Sequence, residues 1–227
     1  MAEIVGGQIV KVDPSGLTVH IPYTNWERYI TRQYEGVRVE LVDERARTLE
    51  QMRKAWAIMS DMAVYISGDR RAAKEDVYRP MCADFALKAQ ETLQRQLFHL
   101  SDASITEAKD FISFLLDTCL EMDIPLSQPA ALLTDDIQHY VYQCTLHRKC
   151  AICGRKADLH HVDHVGMGRN RREIDHTGMR ALPLCREHHG EAHNTPLAEF
   201  LDKYHLEPIE IDERIIDRLN LGGKTND

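Results

Sequence analysis

The stretch that most restricts this chain lies between residues 150 and 193: Cys150-Ala-Ile-Cys153-Gly, then Leu159-His160-His161, then Cys185-Arg-Glu-His188-His189 and His193. Two residues between Cys150 and Cys153 let both thiolates converge on one tetrahedral ion, and Gly154 permits the tight turn that follows. Cys185 and His188 repeat the spacing with histidine in the second place, so the four side chains make a Cys3His set. Four protein ligands close a zinc site and give it a structural role. The flanking loops are charged and carry little apolar material, so the sequence predicts that the ion supplies much of the local folding free energy. The other three cysteines, Cys82, Cys119 and Cys144, read as small buried hydrophobes on helices.

Zinc leaves His160, His161, His164, His176, His189 and His193 unused. His189 and His193 are four apart, so on a helix both imidazoles leave one face and can bind one ion. Adjacent residues on a strand point to opposite sides, so His160 and His161 are suited to separate tasks, one on a metal and one on a water. His20, His99, His139 and His205 stand alone and carry no such signal. Charge is also uneven: the formal net charge is -8, yet residues 148 to 186 hold nine basic side chains against four acidic ones. A polyanion is drawn to this part of the chain and repelled by the rest. Arg169, Arg171, Arg172 and Arg180 are the candidates for holding a nucleic-acid backbone, which positions a strand without reading its sequence.

These residues, in this order, resemble the HNH nucleases, whose core is a β-hairpin and a helix around one metal ion, often braced by a separate zinc. The resemblance covers about residues 148 to 195. It implies that His161 is the general base, that His160, His189 and His193 ligate the catalytic ion, and that Cys150, Cys153, Cys185 and His188 hold structural zinc. The catalytic ion would be magnesium or manganese, and the all-imidazole shell also suits nickel. Arg180 stands where the family usually has asparagine, and His176 and Asn170 are two further candidates for that residue's orienting role, both out of register. Asp163 and His164 form a second pair of the kind that other members use as ligand and base.

Upstream, Gln8 to Ile21 alternates apolar and polar residues on either side of Asp13-Pro14-Ser15-Gly16, the pattern of a β-hairpin. A helix is expected over 25–34 and a strand over 37–42. Thr48 and Gln51 are placed as a capping box for a helix of about five turns, with Leu49, Met52, Trp56, Met59, Met62 and Ile66 predicted to face the core. Further helix follows from residue 72, with a break or kink expected at Pro80, and Ser104 with Glu107 caps another. A last helix over 135–149 leads into the first cysteine pair.

Residues 43 to 63 resemble the phage Orf (NinB) recombination mediators through Arg47, Leu49, Gln51, Arg53, Lys54 and Trp56, and the likeness extends over residues 1 to 127. It implies a homodimer that binds single-stranded DNA, with Arg53 and Lys54 on the DNA, and that works beside a single-strand-binding protein. Residues 1 to 140 carry 15 basic and 22 acidic side chains, so any DNA path there is a local groove. The expected architecture is α+β: a small N-terminal sheet with helices, residues 1 to 140, for DNA binding and dimerisation; a zinc-braced ββα-metal (HNH) module, residues 141 to 210; and a tail, residues 211 to 227. The expected function is metal-dependent endonuclease cleavage of single-stranded or branched DNA in phage recombination, the alternative being a noncatalytic mediator with a structural zinc domain. The N-terminus lacks the order of a secretory signal and no run of about 18 apolar residues occurs, so no membrane partner and a cytoplasmic place, the host's if phage-encoded, are expected.

Overall fold

The computed structural model describes residues 7–22, 24, 27, 31, 39, 45–93, 98–163 and 176–221. The helix expected over 25–34 and the strand over 37–42 lie, but for isolated positions, outside the described residues, as do Arg169, Arg171, Arg172, Asn170 and His164. Contacts divide the chain into two compact units, residues 1–42 and 43–227. In the first, strands β1 (Gln8–Asp13) and β2 (Gly16–His20) pair antiparallel around Pro14-Ser15, where the Ser15 N–H donates to Asp13 Oδ1 at 2.8 Å. The expected hairpin is therefore present, with a register irregularity between Ile9 and Lys11.

The second unit begins with α1 (Leu49–Ser67), which both halves of the Thr48/Gln51 capping box close. The Gln51 N–H donates to Thr48 Oγ1 at 3.1 Å, and the Thr48 N–H to Gln51 Oε1 at 3.0 Å. Helix α2 (Arg79–Leu93) has Pro80 in its first turn, so the break falls before the proline, in the wide turn of residues 73–78. The capping box of Ser104 and Glu107 opens α3 (Ile105–Glu121). The starts of α1 and α3 are lashed together: the Arg47 N–H donates to Ala103 O at 3.0 Å, the Ile105 N–H to Arg45 O at 2.9 Å, and Gln51 Nε2 to Ile105 O at 3.0 Å.

The core-facing stripe of α1 is rotated from the one its large residues suggest. Gln51, Ala55, Ile58, Met59, Met62 and Ala63 are buried, whereas Leu49 and Ile66 are exposed and Met52 and Trp56 half-buried. Small residues at 55 and 63 are fully buried on α1, as are Ala108, Phe111, Ile112 and Leu115 on α3. A cluster of Phe85, Phe98 and Phe111, with ring centroids 4.7 to 5.3 Å apart, seals α2 onto α3. Cys82, Cys119 and Cys144 are buried, as expected.

After a short α4 (Ala130–Leu133), α5 (Ile137–Leu146) starts on Asp136, whose Oδ1 accepts from the His139 N–H at 3.1 Å. One buried cluster runs from α1 through Tyr140, Val141 and Cys144 of α5 to Leu182 and Leu184 and on to Ile215. Residue 140, where the sequence suggested a boundary, thus lies inside a helix whose side chains join the buried residues on both sides of it. The remaining elements are β3 (Asp158–His161), β4 (Arg180–Leu184), α6 (Arg186–Asn194), α7 (Leu197–Tyr204), β5 (Ile209–Glu210) and α8 (Glu213–Leu219). Strands β3, β4 and β5 form one antiparallel sheet in that order, with α6 following β4 directly.

Residues 211 to 219 are no tail: Ile211 and Ile215 are buried, and Arg148 Nη2 donates to Leu219 O at 2.9 Å. The fold is α+β, with eight α-helices and five strands among the described residues. Among them no helix is long and apolar enough to cross a membrane.

Candidate functional site

The first cysteine pair sits in a tight loop between α5 and β3. Its ends are joined by an antiparallel bridge between Lys149 and Lys156, the Cys150 N–H donates to Arg155 O at 2.7 Å, and the Gly154 N–H to Cys150 O at 2.8 Å. Gly154 has φ 68°, a left-handed conformation that a side chain would strain. The Ala151 N–H donates to Pro183 O at 3.0 Å, which ties this loop to β4 and brings Cys150 and Cys153 to the start of α6. There Cys185 is the N-cap and His188 lies in the first turn.

The four ligand atoms are close to tetrahedral spacing. Cys153 Sγ lies 3.7 Å from Cys185 Sγ, and His188 Nδ1 lies 3.5 Å from Cys150 Sγ and 3.3 Å from Cys185 Sγ. Zinc–thiolate bonds of about 2.3 Å give tetrahedron edges of about 3.8 Å, so these residues fit one zinc ion. Burial pushes the Cys150 thiol up to about 11. Cys153 is also raised by burial, but hydrogen bonds, led by one from Arg155 Nε at 3.3 Å, outweigh that and hold it below its usual value. Arg155 is paired in turn with Glu187.

The second group forms on the other side of α6. His160 on β3 pairs in register with Leu182, and its ring meets those of His189 and His193 at centroid distances of 4.7 and 4.9 Å. One nitrogen of each of the three lies within 4.8 Å of the others. His160 is 7% exposed, and among the described residues its buried Nδ1 has no hydrogen-bond partner. A buried, unsatisfied imidazole nitrogen is costly unless something ligates it, and three neutral imidazoles suit a divalent ion. Burial first, then the neighbouring His189 and His193 rings, drives His160 down to about 4, which keeps it neutral and able to bind.

His161, next along β3, takes the opposite side of the strand. Its Nε2 lies 3.0 Å from Nδ1 of His176, which is 6% exposed. Arg180 does not join this group: its backbone N–H donates to Asp163 Oδ2 at 2.7 Å, and Nε and Nη2 reach Oδ1 at 3.1 and 2.7 Å. Asp163 is thereby engaged at both oxygens, the guanidinium on Oδ1 and the backbone N–H on Oδ2, and the hydrogen bonds hold it below its ordinary value.

Arg53 and Lys54 lie on α1 in different surroundings. Lys54 is held by Asp135 at 2.6 Å and Glu50 at 3.4 Å. Arg53 is exposed and lines a cleft of about 300 Å³ with Trp56, Asp61, Arg70, Ser127 and Gln128. Trp56 stacks on Tyr78 with centroids 5.2 Å apart, and buried Asp61 accepts from the Ser127 N–H and Oγ, each at 2.8 Å.

Sequence reasoning missed the pairing of Arg180 with Asp163 and the support of Cys153 by Arg155. It also gave no sign that His139 Nε2 meets Asp117 Oδ2 at 2.9 Å. The first and last of these contacts join residues brought together by strand register or helix packing, for which no spacing rule exists, whereas Arg155 reaches Cys153 from two residues along the same loop.

No curated protein and no solved structure matches the chain. The profile of a nuclease family described as "Putative HNHc nuclease" matches residues 27–222, which takes in the helices of the second unit as well as the zinc loop and both histidine groups. With most of its length so matched, on top of a Cys3His cluster beside a β-hairpin and helix, the chain belongs to the HNHc_6 family of HNH nucleases.

Proposed function

We propose that this protein is a metal-dependent DNA endonuclease whose catalytic ion is held by His160, His189 and His193, with Cys150, Cys153, Cys185 and His188 holding a separate structural zinc. The observation that carries the reading is the convergence of one imidazole nitrogen from each of the three residues within 4.8 Å of the others, with His160 buried. A divalent cation bound there, magnesium, manganese or nickel, supplies Lewis-acid stabilisation of the phosphate and of the leaving 3′ oxygen. His161, in its neutral form, takes the proton of the attacking water. Arg169, Arg171 and Arg172 hold the flanking phosphates, and Arg180, fixed by Asp163 at the start of β4, adds an exposed guanidinium.

The favoured substrate is single-stranded or branched DNA in phage recombination, with a single-strand-binding protein as partner and the homodimer as working form. What supports it is the cleft on α1: an aromatic face backed by Tyr78, beside the exposed guanidinium of Arg53, suits an unpaired base and its phosphate. Lys54, next to Arg53 on α1, has its charge already matched by Asp135.

The experiment is cleavage of single-stranded, duplex, flap and four-way DNA by the full chain with each divalent ion, alongside metal analysis. The parent is expected to bind a chelator-labile ion besides zinc and to cut, and His161→Ala to lose cutting with zinc content unchanged. Undiminished cutting by His161→Ala would retire its role as base. One tightly held zinc with no second ion and no cutting would leave only a zinc-braced binding module.

A further inference from the structure

The orienting partner of the proposed base is not at the position where the family pattern places it, and the structure offers one from elsewhere. Arg180, in that register, is consumed by Asp163. His176, just before β4, is buried and brings Nδ1 to 3.0 Å from His161 Nε2, with ring centroids 5.0 Å apart. A contact of that length between two imidazole nitrogens is a hydrogen bond, and it requires that one ring donate and the other accept.

We infer that His176 is the positioning residue for His161, and that by accepting at Nδ1 it fixes His161 as the tautomer with its hydrogen on Nε2. The inference rests on the reading of His161 as base. His176 is itself held in place: the Met179 N–H donates to its carbonyl at 3.1 Å, and Gly178 and Met179 are tied to Ile211 through the Gly178 N–H to Ile211 O and the Ile211 N–H to Met179 O, both 2.9 Å. Gly178 adopts φ 74° in this turn, which returns the chain from His176 into β4. The backbone of His176 is thereby anchored to the residue that follows β5.

The chemistry balances simply. With hydrogen on Nε2, His161 receives the proton of water at Nδ1, the resulting hydroxide bonds to phosphorus, and the 3′ oxygen leaves with the electron pair of the broken P–O bond. The imidazolium so formed keeps its Nε2–H directed at His176 Nδ1, a charge-assisted bond stronger than the neutral one it replaces. A ring of the wrong tautomer would turn a hydrogen toward the water and could not take its proton.

Two measurements on the full zinc-loaded chain test this. In protein labelled with 15N-histidine, a scalar coupling across the hydrogen bond should link His161 Nε2 and His176 Nδ1, with the hydrogen on His161; no coupling, or hydrogen on His176 Nδ1, overturns the inference. In single-strand cleavage, His176→Asn, whose amide oxygen falls near the position of Nδ1, should stay within about tenfold of the parent. His176→Gln, which reaches past that position, and His176→Phe, which keeps the volume, should each lose about 100-fold in kcat with KM and zinc content unchanged. Parental kcat in the Phe variant, or an Asn variant no better than Phe, overturns the inference while a dead His161→Ala leaves the nuclease reading standing. Full activity in His161→Ala overturns both.

Discussion

Cys150→Ser measures how much of this fold depends on an ion at the Cys3His cluster. The sulfur removed is fully buried and 3.5 Å from His188 Nδ1, so the variant loses one of three thiolates from the centre of the cluster. Serine stays protonated near neutral pH and its oxygen is a poor zinc ligand. Zinc present at about a thousand times its dissociation constant stabilises the native state by about 4 kcal/mol, all of which disappears when the variant no longer binds it. For a unit of this size about 1 kcal/mol moves Tm by roughly 2–4 °C, so the variant should melt about 8–16 °C below the zinc-loaded parent. It should still fold. Leu182, Leu184, Phe200, Ile211 and Ile215 are fully or almost fully buried in the core they share with α5, so apolar packing stands here beside whatever an ion contributes. Because burial raises the Cys150 thiol to about 11, binding must expel its proton, and parental zinc affinity should fall as pH falls. Zinc per chain by elemental analysis and melting by far-ultraviolet circular dichroism, each with and without chelator, give the answer. A variant with full zinc and the parental Tm would refute the ligand assignment, and one without helical signal at 25 °C would refute the claim that the core stands apart from the ion.

Two further outcomes follow from the core and from charge. Phe111→Ala should cost about 3–5 kcal/mol by urea unfolding, since its ring is fully buried against Phe85, Phe98 and Phe114; a loss below about 1 kcal/mol would mean the aromatic cluster is not packed as described. His139 is raised above its ordinary value, first by its hydrogen bond to Asp117, with burial and Lys109 opposing and Asp136 assisting. A raised folded value means the protonated pair stabilises fully below about 6.5, the unfolded value, and that this contribution fades as pH rises through the folded one. The stability difference between the parent and His139→Gln should therefore be larger at pH 5.5 than at pH 8.5, and a difference independent of pH would show that the pair carries no charge-linked stability.

Local features were the legible ones. The two capping boxes, the Pro14-Ser15 hairpin turn and the helix leading to Cys150 depend on residues within four positions of each other, and all are present, the last ending at Leu146 and not at 149. The α1 stripe was harder, because side-chain size alone does not mark the buried face: Ala55 and Ala63 are fully buried, whereas Leu49 and Ile66 are exposed. Likewise Ile211 and Ile215 read as part of a tail until β4 and α5 supplied the surface that buries them.

What the sequence determined by itself are the close pairs, Cys150 with Cys153, Cys185 with His188, and His189 with His193, because a turn or a helix of three or four residues suffices to bring both members of each pair to one side. Only the tertiary structure decided which pairs meet, that His160 completes the set on α6, that His176 reaches His161, and that Asp163 takes Arg180. Those meetings span 15 to 38 residues and are set by the register of β3 on β4 and by the seating of α6, which spacing along a chain does not encode.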